Sequence, residues 1–258
     1  MKKYLSITEL LAKRTLWKVL AVVAVMFAAE FFWARSVLIN GIRVNDMNAN
    51  LAGGTYTYPA TLWNLGIQFT TCYAVALVLI TLIQLRPYIT KGSSAYQVRM
   101  LLVSERSWML TAAVYDIACV FLAWAATSGA ILASARVYMG LPQYQESAQR
   151  IYVEILQSPR LNLFVPADNK MMLCCMLMIT IGIGLLTAAG TAGMLHGKAP
   201  VLALVGTVLV AAVLGIPTFE RFIKGAAWVI AAAAIISFAG TYVGPAEKGK
   251  AEEADDGE

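Results

Sequence analysis

Residues 108–135 read WMLTAAVYDIACVFLAWAATSGAILASA, 28 positions with a single charge, Asp116. About 20 apolar residues are enough for a helix to cross a hydrocarbon core of roughly 30 Å, so this run predicts a spanning helix with a carboxylate inside it. A barrel strand would alternate lipid-facing and lumen-facing residues over about ten positions, and that alternation is missing here. In a bilayer core no water is available to exposed backbone groups, which leaves the helix as the structure for such a run.

Five more runs of this kind flank it, at 16–35, 63–85, 171–195, 200–216 and 222–243, the fifth in chain order being the shortest. The chain of 258 residues is 59% hydrophobic and 14% charged, with a mean hydropathy of +0.68. That is beyond the apolar content of ordinary soluble domains. The expectation is an all-α, polytopic membrane protein with six transmembrane helices over 1–245, followed by an acidic cytoplasmic tail over 246–258 that is expected to be disordered. The first run is read as a membrane anchor, because its basic leader includes Glu9 and its end lacks the small-x-small pattern of a cleaved signal.

The basic residues near the helix ends set the orientation. Lys2, Lys3, Lys13, Arg14 and Lys18 precede the first span, and Arg86, Lys91, Arg99 and Arg106 lie between the second and third. Both segments are expected in the cytoplasm, together with both termini, which places 36–62, 136–170 and 217–221 outside. The absence of organelle signals suggests a bacterial plasma membrane. Basic loops beside an anionic leaflet account for the net charge of +5, so no nucleic-acid partner is implied and membrane lipid is the expected surroundings. Cys72, Cys119, Cys174 and Cys175 all lie in apolar runs, where cysteine behaves as a small hydrophobe, and neither a disulfide framework nor a metal site is expected.

Local signals organise the rest. Ser6 to Glu9 fits a capping box, opening a helix that either lies on the inner leaflet or forms the wet end of a long first span. Residues 40–61 are rich in turn formers and read as a loop, and 144–157 as a short helix on the outer face. Trp17, Trp33, Trp63, Trp108 and Trp228 fall near helix ends, as interfacial aromatic belts do. Gly182, Gly184, Gly190 and Gly193, set among alanines, predict a surface on which helix backbones approach closely. Pro217 and Glu220 would allow a partly re-entrant turn between the last two spans.

Ionisable groups inside a membrane are costly unless paired or wet, which makes Glu30 and Asp116 candidates for function. Structural pairing competes with that role: Arg35 follows Glu30 by five positions, and basic groups stand at the cytoplasmic end near Asp116. Gln68, Thr70 and Thr71 could extend a polar path.

Between the second and third spans, Ser94 to Gln97 fits another capping box, and Tyr96, Met100 and Val103 fall on one helical face with Arg99 and Arg106 beside it. Ser104 can cap the third span. A basic leader, six spans and a short helix of the type SSAYQVRMLLVSERSWM together resemble an ABC-2-type ABC transporter permease. Such permeases often have a Pro-x-Ser-Arg-like turn where this chain has Val103-Ser104-Glu105-Arg106. The resemblance implies an interfacial leader helix, a coupling helix at 93–107 docked on a separate ATP-binding cassette subunit, and a second permease subunit, identical or not, across the substrate path. Tyr96 and Met100 would then fill the ATPase groove, with Arg99, Glu105 and Arg106 contacting its rim. The chain has no phosphate-cradling P-loop, so ATP hydrolysis is expected in the partner and no cofactor in this chain.

No G-x-S-x-G or H-E-x-x-H motif is present, and the one histidine, His196, falls in a short cytoplasmic turn. An enzyme is therefore disfavoured. The remaining alternatives are a stand-alone ion-coupled carrier or channel using Glu30 and Asp116, and a membrane-embedded accessory protein.

Overall fold

The computed structural model describes residues 2–52, 59–89, 104–139, 158–166, 169–196, 198–216 and 219–255. Within them the chain is helical, with no strand: α1 (Lys2–Ala52), α2 (Pro59–Ile89), α3 (Glu105–Met139), α4 (Pro159–Phe164), α5 (Lys170–Leu195), α6 (Val201–Gly215) and α7 (Phe219–Asp255). Five of these are long and apolar enough to cross a membrane; α6 is a shorter apolar helix of 15 residues and α4 has six. The protein is an all-α polytopic membrane protein, and its membrane character carries the rest of the architecture.

The five long helices and α6 form two rows of three. One row runs α1, α2, α6 and the other α3, α5, α7, and the rows touch through α1–α3, α2–α3, α2–α5, α5–α6 and α6–α7. α2 and α5 hold the central places and are the most buried spans. The outer helices present apolar faces to the surroundings, such as Trp17 and Val25 on α1, Val205 on α6 and Ile236 on α7. In a bilayer that exposure carries no penalty, because lipid tails are as apolar as the side chains.

Hydroxyls in the spans are mostly folded back onto their own helix. Thr187 donates to the carbonyl of Ile183 at 2.8 Å, Thr207 to that of Ala203 at 2.8 Å and Ser134 to that of Ala130 at 2.7 Å. Each helix thereby satisfies its own polar groups without water.

Close backbone approach occurs at two glycines of α5. A Cβ at Gly182 would lie 2.6 Å from Ile230 Cγ2 of α7, and one at Gly184 would lie 2.5 Å from Ile117 Cγ1 and 2.8 Å from its backbone nitrogen. Gly190 meets Pro200 and Ala203 at 3.1 and 3.2 Å, against the start of α6, while Gly193 faces only Lys198 Cβ at 3.7 Å. The small residues therefore serve three neighbours rather than one face.

Several local readings differ from what the sequence suggests. α1 is continuous from Lys2 to Ala52, so the leader forms the wet end of a long first helix, not a separate interfacial one. Helix also covers 40–52, which reads as loop, because turn formers such as Asn40 and Gly41 are only weak helix breakers when nothing else ends the helix. Trp108 is 1% exposed and packs edge-on against Tyr88 with ring centroids 5.8 Å apart, so it belongs to the core and not to an interfacial belt. Its place at the start of α3 is shielded by α2. Residues 158–166, read as outer loop, enter the bundle instead. Pro159 opens α4, whose Leu161, Leu163 and Phe164 are buried between α2, α3 and α5.

Helix starts follow local chemistry. Asn169 Oδ1 accepts from the backbone N–H of Met172 at 3.2 Å at the head of α5, and Ser104 Oγ accepts from that of Ser107 at 3.3 Å at the head of α3. The expected coupling helix lies, up to residue 103, outside the described residues. So do the expected outer helix at 144–157 and Pro217 of the last turn.

Candidate functional site

Polar side chains gather at two levels inside the bundle, both enclosed by α1, α2, α3 and α5. At the level nearer the start of α1, labelled inner after the expected orientation, Asp116 of α3 is 4% exposed. Around it, Arg14 and Thr15 of α1, Gln84 and Tyr88 of α2, Tyr115 of α3 and Thr191 of α5 line one pocket. Its free space is about 10 Å³, room for one water molecule. Thr15 and Tyr115 share a hydrogen bond of 2.8 Å, tying α1 to α3. Gln84 is buried, with its amide within hydrogen-bond reach of the Cys119 thiol. Tyr88, Tyr115 and Cys119 all lie within electrostatic reach of Asp116, and Arg14 within that of Tyr88. Pro87, inside α2, lines the same pocket and removes a backbone donor there.

At the outer level, Glu30 of α1 is 3% exposed. Thr127 of α3 donates to its Oε1 at 3.1 Å, and its Oε2 has no partner. Cys72 and Tyr73 of α2 lie within electrostatic reach of it, and Tyr73 adjoins Thr180 of α5. The hydroxyls of Tyr73 and Thr180 are both buried and face each other between α2 and α5. Buried polar atoms left unpaired are rare and costly, so a carboxyl with one unpaired oxygen beside two buried hydroxyls on facing helices marks a built feature.

Beside this level stands Arg160 of α4, 1% exposed. Its Nη1 donates to Thr70 Oγ1 at 3.2 Å and its Nη2 to the carbonyl of Ile216 at 2.7 Å. Gly66 makes room for the stem: a Cβ there would lie 2.9 Å from Arg160 Cβ. Ser128 holds the end of α4 by donating to the carbonyl of Phe164 at 2.7 Å, and Phe164 meets Tyr73 edge-on at 5.1 Å.

The sequence reading finds both acids but not their company. The expected pairing of Glu30 with Arg35 does not form, since residues five apart point about 140° away from each other on a helix and Arg35 is exposed. Gln68 is half-buried, with its Oε1 unpartnered. Tyr96, Arg99 and Met100 fall outside the described residues. Arg106 is exposed near the start of α3, and of Glu105 only its place in the first turn is described. No group of three metal-ligating side chains occurs among the described residues. Gln84, Tyr73, Thr127, Thr180 and Arg160 are the residues that sequence reasoning passes over. The available signal was spacing: Tyr73 to Gln84, Asp116 to Thr127 and Thr180 to Thr191 are each eleven residues, three helical turns on one face.

Comparison with protein-family models, with curated proteins and with solved structures finds no match.

Proposed function

We propose that the chain is the membrane-spanning subunit of an ABC-type transporter, worked from the cytoplasm of a bacterial cell by a separate ATPase. The observation that carries the reading is the contact between Tyr88, near the end of α2, and Trp108, in the first turns of α3. These residues bracket the segment 90–103, and Tyr88 lines the inner polar level. A force applied to that segment would reach the Tyr88–Trp108 pair and, through it, the space around Asp116. A second copy or a related subunit would complete the substrate path.

The test is gentle affinity purification of the chain from its native membrane, followed by mass spectrometry for a chain with a P-loop. The expected result is a stoichiometric ATPase that is lost on replacing Tyr96 and Arg99 with alanine. Its absence across several detergents, or its retention by the double variant, overturns the reading.

A second reading, a carrier that works without an ATPase, is favoured by a different observation: Glu30 and Asp116 are both buried inside the same four helices. Ion movement through vesicles holding this chain alone is the result that would select it.

A further inference from the structure

The eleven-residue spacing on α2, α3 and α5 places the two polar levels about 16 Å apart at the helical rise of 1.5 Å per residue. Each level holds one carboxyl group together with unpartnered or hydroxyl-bearing side chains from its neighbours. Between them along the same helices lie Val23, Leu77, Ile80, Val120, Ala123 and Ile183, all buried in one apolar cluster, while the buried hydroxyls of this stretch are engaged elsewhere, Thr81 with Thr207 of α6 and Thr187 with the Ile183 carbonyl of its own helix. The four helices therefore enclose a polar level, an apolar layer and a second polar level in series.

We propose that Glu30 and Asp116 are two proton-binding stations on one route between α1, α2, α3 and α5, separated by an apolar barrier. The donor chemistry selects a proton over a metal cation. Arg14 brings a fixed positive charge to the inner pocket, whose free space admits a single water and not a cation with its shell of oxygen ligands. At the outer level a carboxyl that gains a proton on Glu30 Oε2, which has no partner, becomes a donor, and the neighbouring Tyr73 hydroxyl, itself beside Thr180, stands within electrostatic reach to accept from it. At the inner level Gln84, which lines the same pocket as Asp116 and lies beside Cys119, carries an amide able to donate to a charged carboxylate or accept from a protonated one.

The groups that face these acids are few. Asp116 has Arg14 from α1, Tyr88 from α2, Tyr115 and Cys119 from α3, and the hydroxyl of Thr191 from α5. Glu30 has Cys72 and Tyr73 from α2, Thr127 from α3 and Thr180 by way of Tyr73, while Arg160 is engaged with Thr70 on the α4 side. No second carboxyl faces either acid among the described residues, so each exchanges its own proton.

The proposal deepens the carrier reading and rests on it for transport, but not for proton binding, which separates the two tests. Dicyclohexylcarbodiimide reacts with protonated carboxyls in apolar surroundings. Applied to the full chain in liposomes, it is expected to label Glu30 and Asp116, located by peptide mass spectrometry, with the label lost as pH is raised. This measurement needs no variant. In the same liposomes, a potential-driven pH change read by an internal dye is expected to be lost in E30Q and in D116N. Labelling without proton movement would sink the carrier reading while upholding the stations. Absence of label at every pH at which the chain stays folded would overturn the stations, and protection by sodium ions would replace them with a metal-cation site.

Discussion

Arg160 shows how much one side chain can organise at the outer end of the bundle. Its guanidinium reaches across from a six-residue helix to Thr70 of α2 and to the carbonyl that closes α6, joining three elements. Hydrogen bonds from a charged donor contribute roughly 1.5–3 kcal/mol, and their loss leaves the acceptors buried. Arg160→Leu is therefore expected to destabilise the protein by about that amount, read as a lowered unfolding midpoint in detergent, with Thr70→Val losing less. The glycines of α5 give a second residue-scale contrast. Gly184→Leu would drive a side chain into the Ile117 backbone and is expected to cost about 1–3 kcal/mol in the same assay. Gly193→Ala, with its nearest neighbour at ordinary contact distance, is expected to leave the midpoint unchanged.

At the scale of elements, α3 begins at a capped serine and is held within its first turns by Trp108 against Tyr88. Trp108→Ala removes a buried indole and is expected to cost about 3–5 kcal/mol, measured by denaturant titration. The long helices were legible because a continuous apolar run has one solution in lipid, and no tertiary contact can override it. Boundaries were less so: nothing in 40–52 is strong enough to start or stop a helix alone, and α1 simply continues. α4 was invisible for a different reason. PRLNLF is too short to show a period and carries an arginine, which reads as a solvated loop until Gly66 and Thr70 are seen to receive it. Likewise Glu30 and Asp116 stood out as charges in apolar runs, while Tyr73, Gln84 and Thr180 are common residues that become a site only when α2 and α5 bring them beside the acids of α1 and α3.

The whole molecule is a two-row bundle whose outer faces are apolar all round, and this distinguishes its tryptophans. Trp17, Trp33 and Trp228 are exposed, whereas Trp108 is enclosed. In bilayers of brominated lipid, fluorescence from the first three is expected to be quenched and that of Trp108 retained, as read from single-tryptophan variants. Quenching of Trp108 in a folded sample would contradict the row arrangement. One flank of the bundle differs from the rest. The 15 residues of α6 rise only about 22 Å, against roughly 30 Å for an average hydrocarbon core, and its outward side chains Val201, Leu202, Val205 and Val208 meet lipid directly. Acyl chains packed on that flank must shorten or splay to match it. The protein therefore carries a one-sided mismatch: it should collect short-chain annular lipids beside α6, keep its highest melting temperature in thinner bilayers, and sort away from thick, ordered ones.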